Sequence, residues 1–176
     1  MAESYPTFRA GKKVTGALLE SIKPVTVRKL SDTARSTTTV ADDPELQFSV
    51  EANAVYRMEG VLYFNGSVAT DIEIDWSAPS GSDGSWAAIG MPQTETATPD
   101  TFNSNMSSTG TTTITSSRAY GVDDNGTGSP STLHVRSLLI TGSSAGTYAL
   151  AWSVQPTEVG TITMLADSFL YLQRIA

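Results

Sequence analysis

The stretch 45-ELQFSVEANAVYRMEGVLYFNGSVATDIEI-74 decides the fold, because its side chains alternate in character over two strand-length runs joined by a turn signal. In the first run Tyr56, Met58, Leu62 and Phe64 fall on one face, and Arg57, Glu59 and Tyr63 on the other. In the second, which continues past residue 74, Ile72, Ile74 and Trp76 alternate with Asp71, Glu73 and Asp75. A repeat of two residues is the pattern of a half-buried β-strand.

Composition points the same way. Only 39% of the 176 residues are hydrophobic and 16% charged, and Ser and Thr together fill 46 positions. A Thr-rich, charge-poor chain with 14 Gly and 8 Pro favours strands and turns over helices. Cysteine is absent, which excludes disulfides, thiolate metal sites and a cysteine nucleophile. No apolar run is long enough to span a bilayer, and MAESYPTFRAGKK lacks the apolar centre of a secretory signal. The expectation is a soluble cytoplasmic product without a membrane partner.

Beyond the central stretch the pattern repeats. PVTVRKL at 24–30 alternates, and further strands are expected at 47–50, 54–65, 70–77, 111–119, 133–141 and 147–154. Residues 160–165 are expected to pair with 147–154 across a Pro-Thr-Glu turn. Residues 78–113 read as a loop-rich excursion with one short strand around Trp86 and Ile89. The last strand, 168–175, carries Phe169, Tyr171 and Ile175 on one side and Leu170, Leu172 and Arg174 on the other. A strand apolar on both faces needs cover on both, from the two sheets or from another copy of the subunit.

About eight to ten short strands, with no helix long enough for a parallel crossover, make an all-β fold. The reading is an antiparallel β-sandwich of jelly-roll type with an extended N-terminal arm; an immunoglobulin-like sandwich is the alternative. The arm is placed at residues 1–43 and the head at 44–176. A short amphipathic helix is expected at 15–21, with Thr15 as N-cap, Ala17, Leu18 and Ile22 on one face, and Pro24 beyond it. Seven residues do not hold a helix alone in water, so it must pack on the head or on a partner.

The net charge of −7 conceals a split. Residues 1–35 hold seven basic residues against three acids, and residues 36–176 hold four against fifteen. A basic arm on an acidic body is drawn to a negative protein surface; the acidic body repels a phosphate backbone, so no nucleic-acid partner is expected. Isolated aromatics add to the arm's docking set, which is Tyr5, Phe8, Arg9, Lys12, Lys13, Leu18, Ile22, Arg28 and Lys29.

Chemistry is hard to find. His134 is the only histidine, so a Ser-His-Asp system or a multi-histidine metal site would have to be built around it alone. Asp71, Glu73 and Asp75 have the spacing of any solvated strand face, although paired carboxylates are what glycoside hydrolysis requires. The Asp123-Asp124-Asn125 turn lacks the spacing of a calcium loop. Trp76, Trp86 and Tyr120 would form a sugar-stacking platform if exposed and core if not. No phosphate loop or dinucleotide fingerprint occurs. No catalytic, cofactor or metal residue is assigned, and the protein is not expected to be an enzyme.

The segments FRAGKKVTGALLESIKP, RSTTTVADDPELQFSVEANAVYRMEGVLYFNG and ADSFLYLQRIA resemble small virion surface proteins of tailed actinobacteriophages, of the head decoration or minor tail type. AGKKVTGALL, VEANAVYRMEG and LQRIA are the most specific pieces. The order of β-patterns is also similar to trimeric jelly rolls with tumour-necrosis-factor-like heads. The resemblance implies a virion-surface homotrimer, docked by its arm on the major capsid protein or on tail proteins, with Phe169, Tyr171, Leu172 and Arg174 at the subunit interface. A glycan- or receptor-binding tail head is the alternative that it leaves open.

Overall fold

The fold was obtained as a computed structural model, which describes residues 10–11, 13–16, 19, 22–66, 70–91, 107–108, 112–122, 130–157 and 159–176. The described residues form strands β1 (Val25–Arg28), β2 (Thr33–Arg35), β3 (Ala41–Val50), β4 (Val55–Gly66), β5 (Ile72–Ser77), β6 (Asp83–Gly90), β7 (Ser107–Ser108), β8 (Thr112–Thr113), β9 (Arg118–Tyr120), β10 (Ser131–Ile140), β11 (Gly146–Val154), β12 (Ile162–Met164) and β13 (Phe169–Arg174). They make two antiparallel sheets. The nine-stranded sheet runs β1-β13-β4-β10-β6-β7 with β2, β8 and β12 alongside, and the four-stranded sheet runs β3-β11-β5-β9. From β3 to β6 and again from β9 to β12 each successive strand lies in the opposite sheet, the winding of a jelly-roll-type sandwich.

The central stretch supplies the frame. The alternation in β4 puts Tyr56, Met58, Leu62 and Phe64 into the space between the sheets, and Ile72, Ile74 and Trp76 of β5 meet them from the other side. One edge of β4 pairs with β10 along the whole of that strand, from Ser131↔Phe64 to Ile140↔Val55. Its other edge is divided between β13, at Tyr56 to Val61, and β12, at Phe64 to Gly66. Close approach of β13 is possible because residue 60 is glycine: a Cβ there would stand 2.3 Å from the Phe169 carbonyl oxygen and 2.6 Å from Leu170 Cδ2.

The segment leading into the head is bound to it by buried charge. Lys29 is fully buried, and its ammonium donates to Asp43 at 3.0 Å, to Thr33 Oγ1 at 2.7 Å and to Glu45 at 3.3 Å. Asp43, also buried, accepts further from Trp152 Nε1 at 3.1 Å and from the backbone N–H groups of Glu45 and Leu46. Glu45 accepts from the Leu30 N–H at 3.0 Å, which with the neighbouring Lys29 holds its carboxyl below the usual range against a smaller opposing effect of burial. Arg35 lies 4.1 Å over the Trp152 ring and donates to the carbonyls of Ala41 and Asp42; burial pulls its pKa down despite the nearby Asp43 and Asp42 carboxylates.

Several expectations change. Residues 25–35 pair into the nine-stranded sheet through β1–β13 and β2–β12, so they belong to the sandwich although the reading placed them in an arm ending at 43. Lys29 is no docking cation, because its charge is consumed inside the head. Residues 162–164 pair with β2 and β4 instead of 147–154, since both edges of β11 are taken by β3 and β5. The strand expected at 111–119 is split: Thr112–Thr113 joins β6 and Arg118–Tyr120 joins β5, because the chain changes sheets between them. Of the expected helix, Gly16 and Leu19 are helical and the Leu19 N–H donates to the Thr15 carbonyl at 3.1 Å. Residues 17, 18, 20 and 21 lie outside the described residues.

Three measurements check this account. Lys29→Met leaves Asp43 buried without its cation and is expected to lower unfolding stability by about 3–5 kcal/mol in urea titration, with part of the loss recovered by adding Asp43→Asn. Gly60→Ala is expected to cost about 1–3 kcal/mol by the same assay, because its new methyl group meets backbone. A carboxyl with a lowered folded-state pKa stabilises above its unfolded value, near 4.5, and loses that contribution as pH falls through the folded value. Acid titration of Glu45→Gln is therefore expected to show a shallower loss of stability below that pH than the parent chain.

Candidate functional site

Among the described residues nothing covers one face of the central strand of the nine-stranded sheet. β10 alternates without exception, with Leu133, Val135 and Leu139 buried and Thr132, His134, Arg136, Leu138 and Ile140 exposed. Strand register carries that exposed side across the sheet in rows, because directly opposite residues share a face. Ile89, His134, Val61 and Phe169 form one row, and Ala87, Arg136, Glu59 and Tyr171 the next. Ser85, Leu138, Arg57 and Gln173 form a third. On the far edge Arg28 and Thr26 of β1 stand opposite Phe169 and Tyr171.

Two open clefts of about 440 and 350 Å³ lie on this face. The first is lined by Arg57, Glu59, Ala87, Arg136, Leu138 and Ile175, the second by Val61, Ile89, His134, Arg136, Phe169 and Tyr171. Leu138, Ile140 and Ile175 are 39%, 42% and 45% exposed, large values for aliphatic side chains. The Arg57 guanidinium binds Glu59, and that hydrogen bond and charge raise the arginine's pKa. Arg136 has no ion-pair partner among the described residues. The face is therefore largely apolar and carries both signs of charge, Arg57 and Arg136 with Glu59 and, opposite Ile140, the exposed Asp83.

The other candidate sites separate under the same geometry. His134 stands between Val61 and Ile89 across the strands. Asp71 precedes β5 and is buried; Glu73 and Asp75 stay half-buried on β5, where Asp75 accepts from the Trp76 N–H at 2.8 Å. No group of three metal-ligating side chains occurs among the described residues. Trp76, Trp86 and Tyr120 are 5%, 1% and 1% exposed, which makes them core and removes the sugar-stacking platform. Trp76 stacks on Tyr148 at 5.2 Å and meets Trp86 edge-on at 6.2 Å, and Trp86 Nε1 donates to the Ser116 carbonyl. Burial raises the Tyr148 hydroxyl pKa well above the ordinary phenolic range, partly offset by its bond to Ser137 at 2.7 Å.

Of the docking residues, Lys13 is exposed, Ile22 is half-buried, and Arg28 is exposed in an ion pair with Asp167 at 3.3 Å. Tyr5, Phe8, Arg9, Lys12 and Leu18 lie outside the described residues, as do Asp123, Asp124 and Asn125. The four residues expected at a subunit interface divide. Phe169 and Tyr171 are half-buried on the uncovered face, whereas Leu172 is 4% exposed and packs in the inter-sheet core, so it needs no second subunit to cover it. Arg174 is held by Glu51. In LHVRSLLI, read from sequence as a strand with mixed faces, the second face combines a cation with two aliphatics.

No protein-family model and no curated protein matches the chain. Among solved structures it is similar, at 11% identity and a TM-score of 0.25, to a chain in the structure of infectious bursal disease virus Gx strain, covering 88% of this chain and 37% of that one. The Gt strain structure gives 11% identity, 88% and 38% coverage and a TM-score of 0.22. The crystal structure of the infectious bursal disease virus VP2 subviral particle gives 7%, 86% and 40%, and 0.21. The chain thus spans about two fifths of the length of these viral chains, and TM-scores this low bear on neither mechanism nor partner.

Proposed function

We propose that the chain is a virion structural protein that decorates a phage capsid, with its N-terminal segment as the docking element and the sandwich projecting as a homo-oligomer, a trimer in the form the sequence resemblance implies. The observation that carries the reading is the combination of a basic segment ahead of residue 24 with a compact, acidic sandwich that keeps one broad apolar face uncovered. Exposed apolar faces of this extent on a folded head are interaction surfaces. With Lys29 and Arg35 bound inside the head, the cations to which this reading gives the docking role are Arg9, Lys12 and Lys13. The same features suit attachment at the tail. A glycan-binding tail head is the weaker reading, because the aromatics on which it rested are core.

Deleting residues 1–22 spares β1 and the Lys29 cluster, so the shortened head is expected to melt at the same temperature as the full chain. It is also expected to lose co-sedimentation with phage capsids. Undiminished co-sedimentation would dismiss the arm as the docking element, and recovery on purified tails alone would move the protein from head to tail.

A further inference from the structure

The geometry points to an amide bond between the side chains of Lys29 and Asp43, formed by the folded chain on itself with Glu45 as proton carrier, whatever the protein's role in a virion. Lys29 Nζ stands 3.1 Å from Asp43 Oδ1 and 3.0 Å from Oδ2. A nitrogen so placed is no more than about 3.5 Å from the carbon that carries both oxygens, within the range of a near-attack arrangement. Both side chains are fully buried, which keeps the amine and the carboxyl group together and out of bulk water.

The surroundings suit a condensation. Between the pairs Asp42↔Ala151 and Gln47↔Ala149, β3 holds residues 43–46 where β11 has Leu150 alone. Such a bulge releases backbone groups from the ladder. Two of them, the N–H groups of Glu45 and Leu46, donate to Asp43 Oδ1 at 3.0 and 3.2 Å, where they stabilise the negative charge that this oxygen gains when the carbon is attacked. Trp152 Nε1 donates to Oδ2, the leaving oxygen, at 3.1 Å. Glu45 Oε2 lies 3.3 Å from Nζ, and the Leu30 N–H and the Ser31 hydroxyl hold that carboxylate in place. An ion pair needs only two opposite charges; a proton acceptor on the nitrogen and paired donors on one oxygen are what bond formation requires.

The step balances without any co-reactant. One proton passes within the pair from ammonium to carboxylate, leaving an amine and a carboxylic acid, the neutral forms that a site without water favours. The amine lone pair forms the Nζ–Cγ bond. Nζ then gives a proton to Glu45, which delivers it to Oδ2; the Cγ–Oδ2 bond breaks with its electron pair on oxygen, and water leaves past Glu45, whose side chain is 25% exposed. Nothing is oxidised or reduced, Glu45 is regenerated, and one cation and one anion disappear together. The product closes residues 29–43 into a covalent ring that fastens the end of β1 to β3.

Mass spectrometry of the purified full chain, unfolded in acid, is expected to find it lighter than its sequence mass by one water. Trypsin is expected to leave residues 29–35 joined to 36–57, because it cuts at Arg35 and no longer at Lys29. Glu45→Gln keeps an acceptor for the Leu30 N–H and is expected to fold yet stay at its full mass, with bond formation slowed at least about 100-fold. Lys29→Arg is expected to show neither the mass deficit nor the joined peptides. A folded parent chain at its full sequence mass, or a water deficit that the tryptic fragments place elsewhere, would overturn the proposal. An undiminished deficit in Glu45→Gln would overturn the part given to Glu45. None of these measurements involves a particle, so failure of capsid docking leaves them interpretable.

Discussion

Strand β4 is hydrogen-bonded on both edges to three other strands, and the rest of the sandwich depends on that double pairing. A strand with no free edge fixes the register of β10, β13 and β12 at once, and register decides which side chains reach the core. A slip of one residue would exchange Met58, Leu62 and Phe64 for Arg57, Glu59, Tyr63 and their neighbours. Gly60 is where this constraint is tightest, since β13 crosses close enough there to leave no room for a methyl group. The four-stranded sheet is then placed by its apolar face, with Trp152 and Leu150 fully buried against the frame that β4 sets.

The fold class was legible because alternation in residues 45–74 is a direct record of one buried and one solvated side. The same record identified Tyr56, Met58, Leu62 and Phe64 as core before any coordinates. What alternation does not encode is the partner of each strand. Residues 162–164 have a good strand pattern, but whether they meet β11 or β4 depends on which edges are already occupied, and that is a property of the whole sheet. Lys29 was misread for a related reason. Its carboxylate partner sits fourteen residues away on a different strand, so its neighbours in sequence gave no sign that the ammonium would be buried. The three aromatics show the converse: their apolar bulk was visible, and only packing could tell core from platform.

The uncovered face was half legible. β10 reads as mixed on both sides, and that mixture is what a protein-facing surface looks like, too apolar for solvent and too charged for a core. Its rows, however, assemble residues from four strands spread between positions 57 and 173, and no window of sequence contains them. The charge split also acquires a different meaning in three dimensions. Part of the basic N-terminal segment, Lys29 and Arg35, is spent on fastening that segment to the acidic head, while Arg28 stays exposed beside Asp167.

The junction between β1, Lys29 and the head has a mechanical side. β1 lies antiparallel to β13 from Val25↔Leu172 to Arg28↔Phe169, and the buried Lys29–Asp43 pair follows directly behind it. Tension on the N-terminal segment, directed along β1, loads this ladder in shear, so its hydrogen bonds share the force instead of parting one by one from an end. Any that fail transfer the load to a salt bridge that water does not reach. A tether built in this order holds best when pulled along its own axis and yields when peeled sideways, which makes the direction of pull, as much as its strength, the quantity that the joint resists.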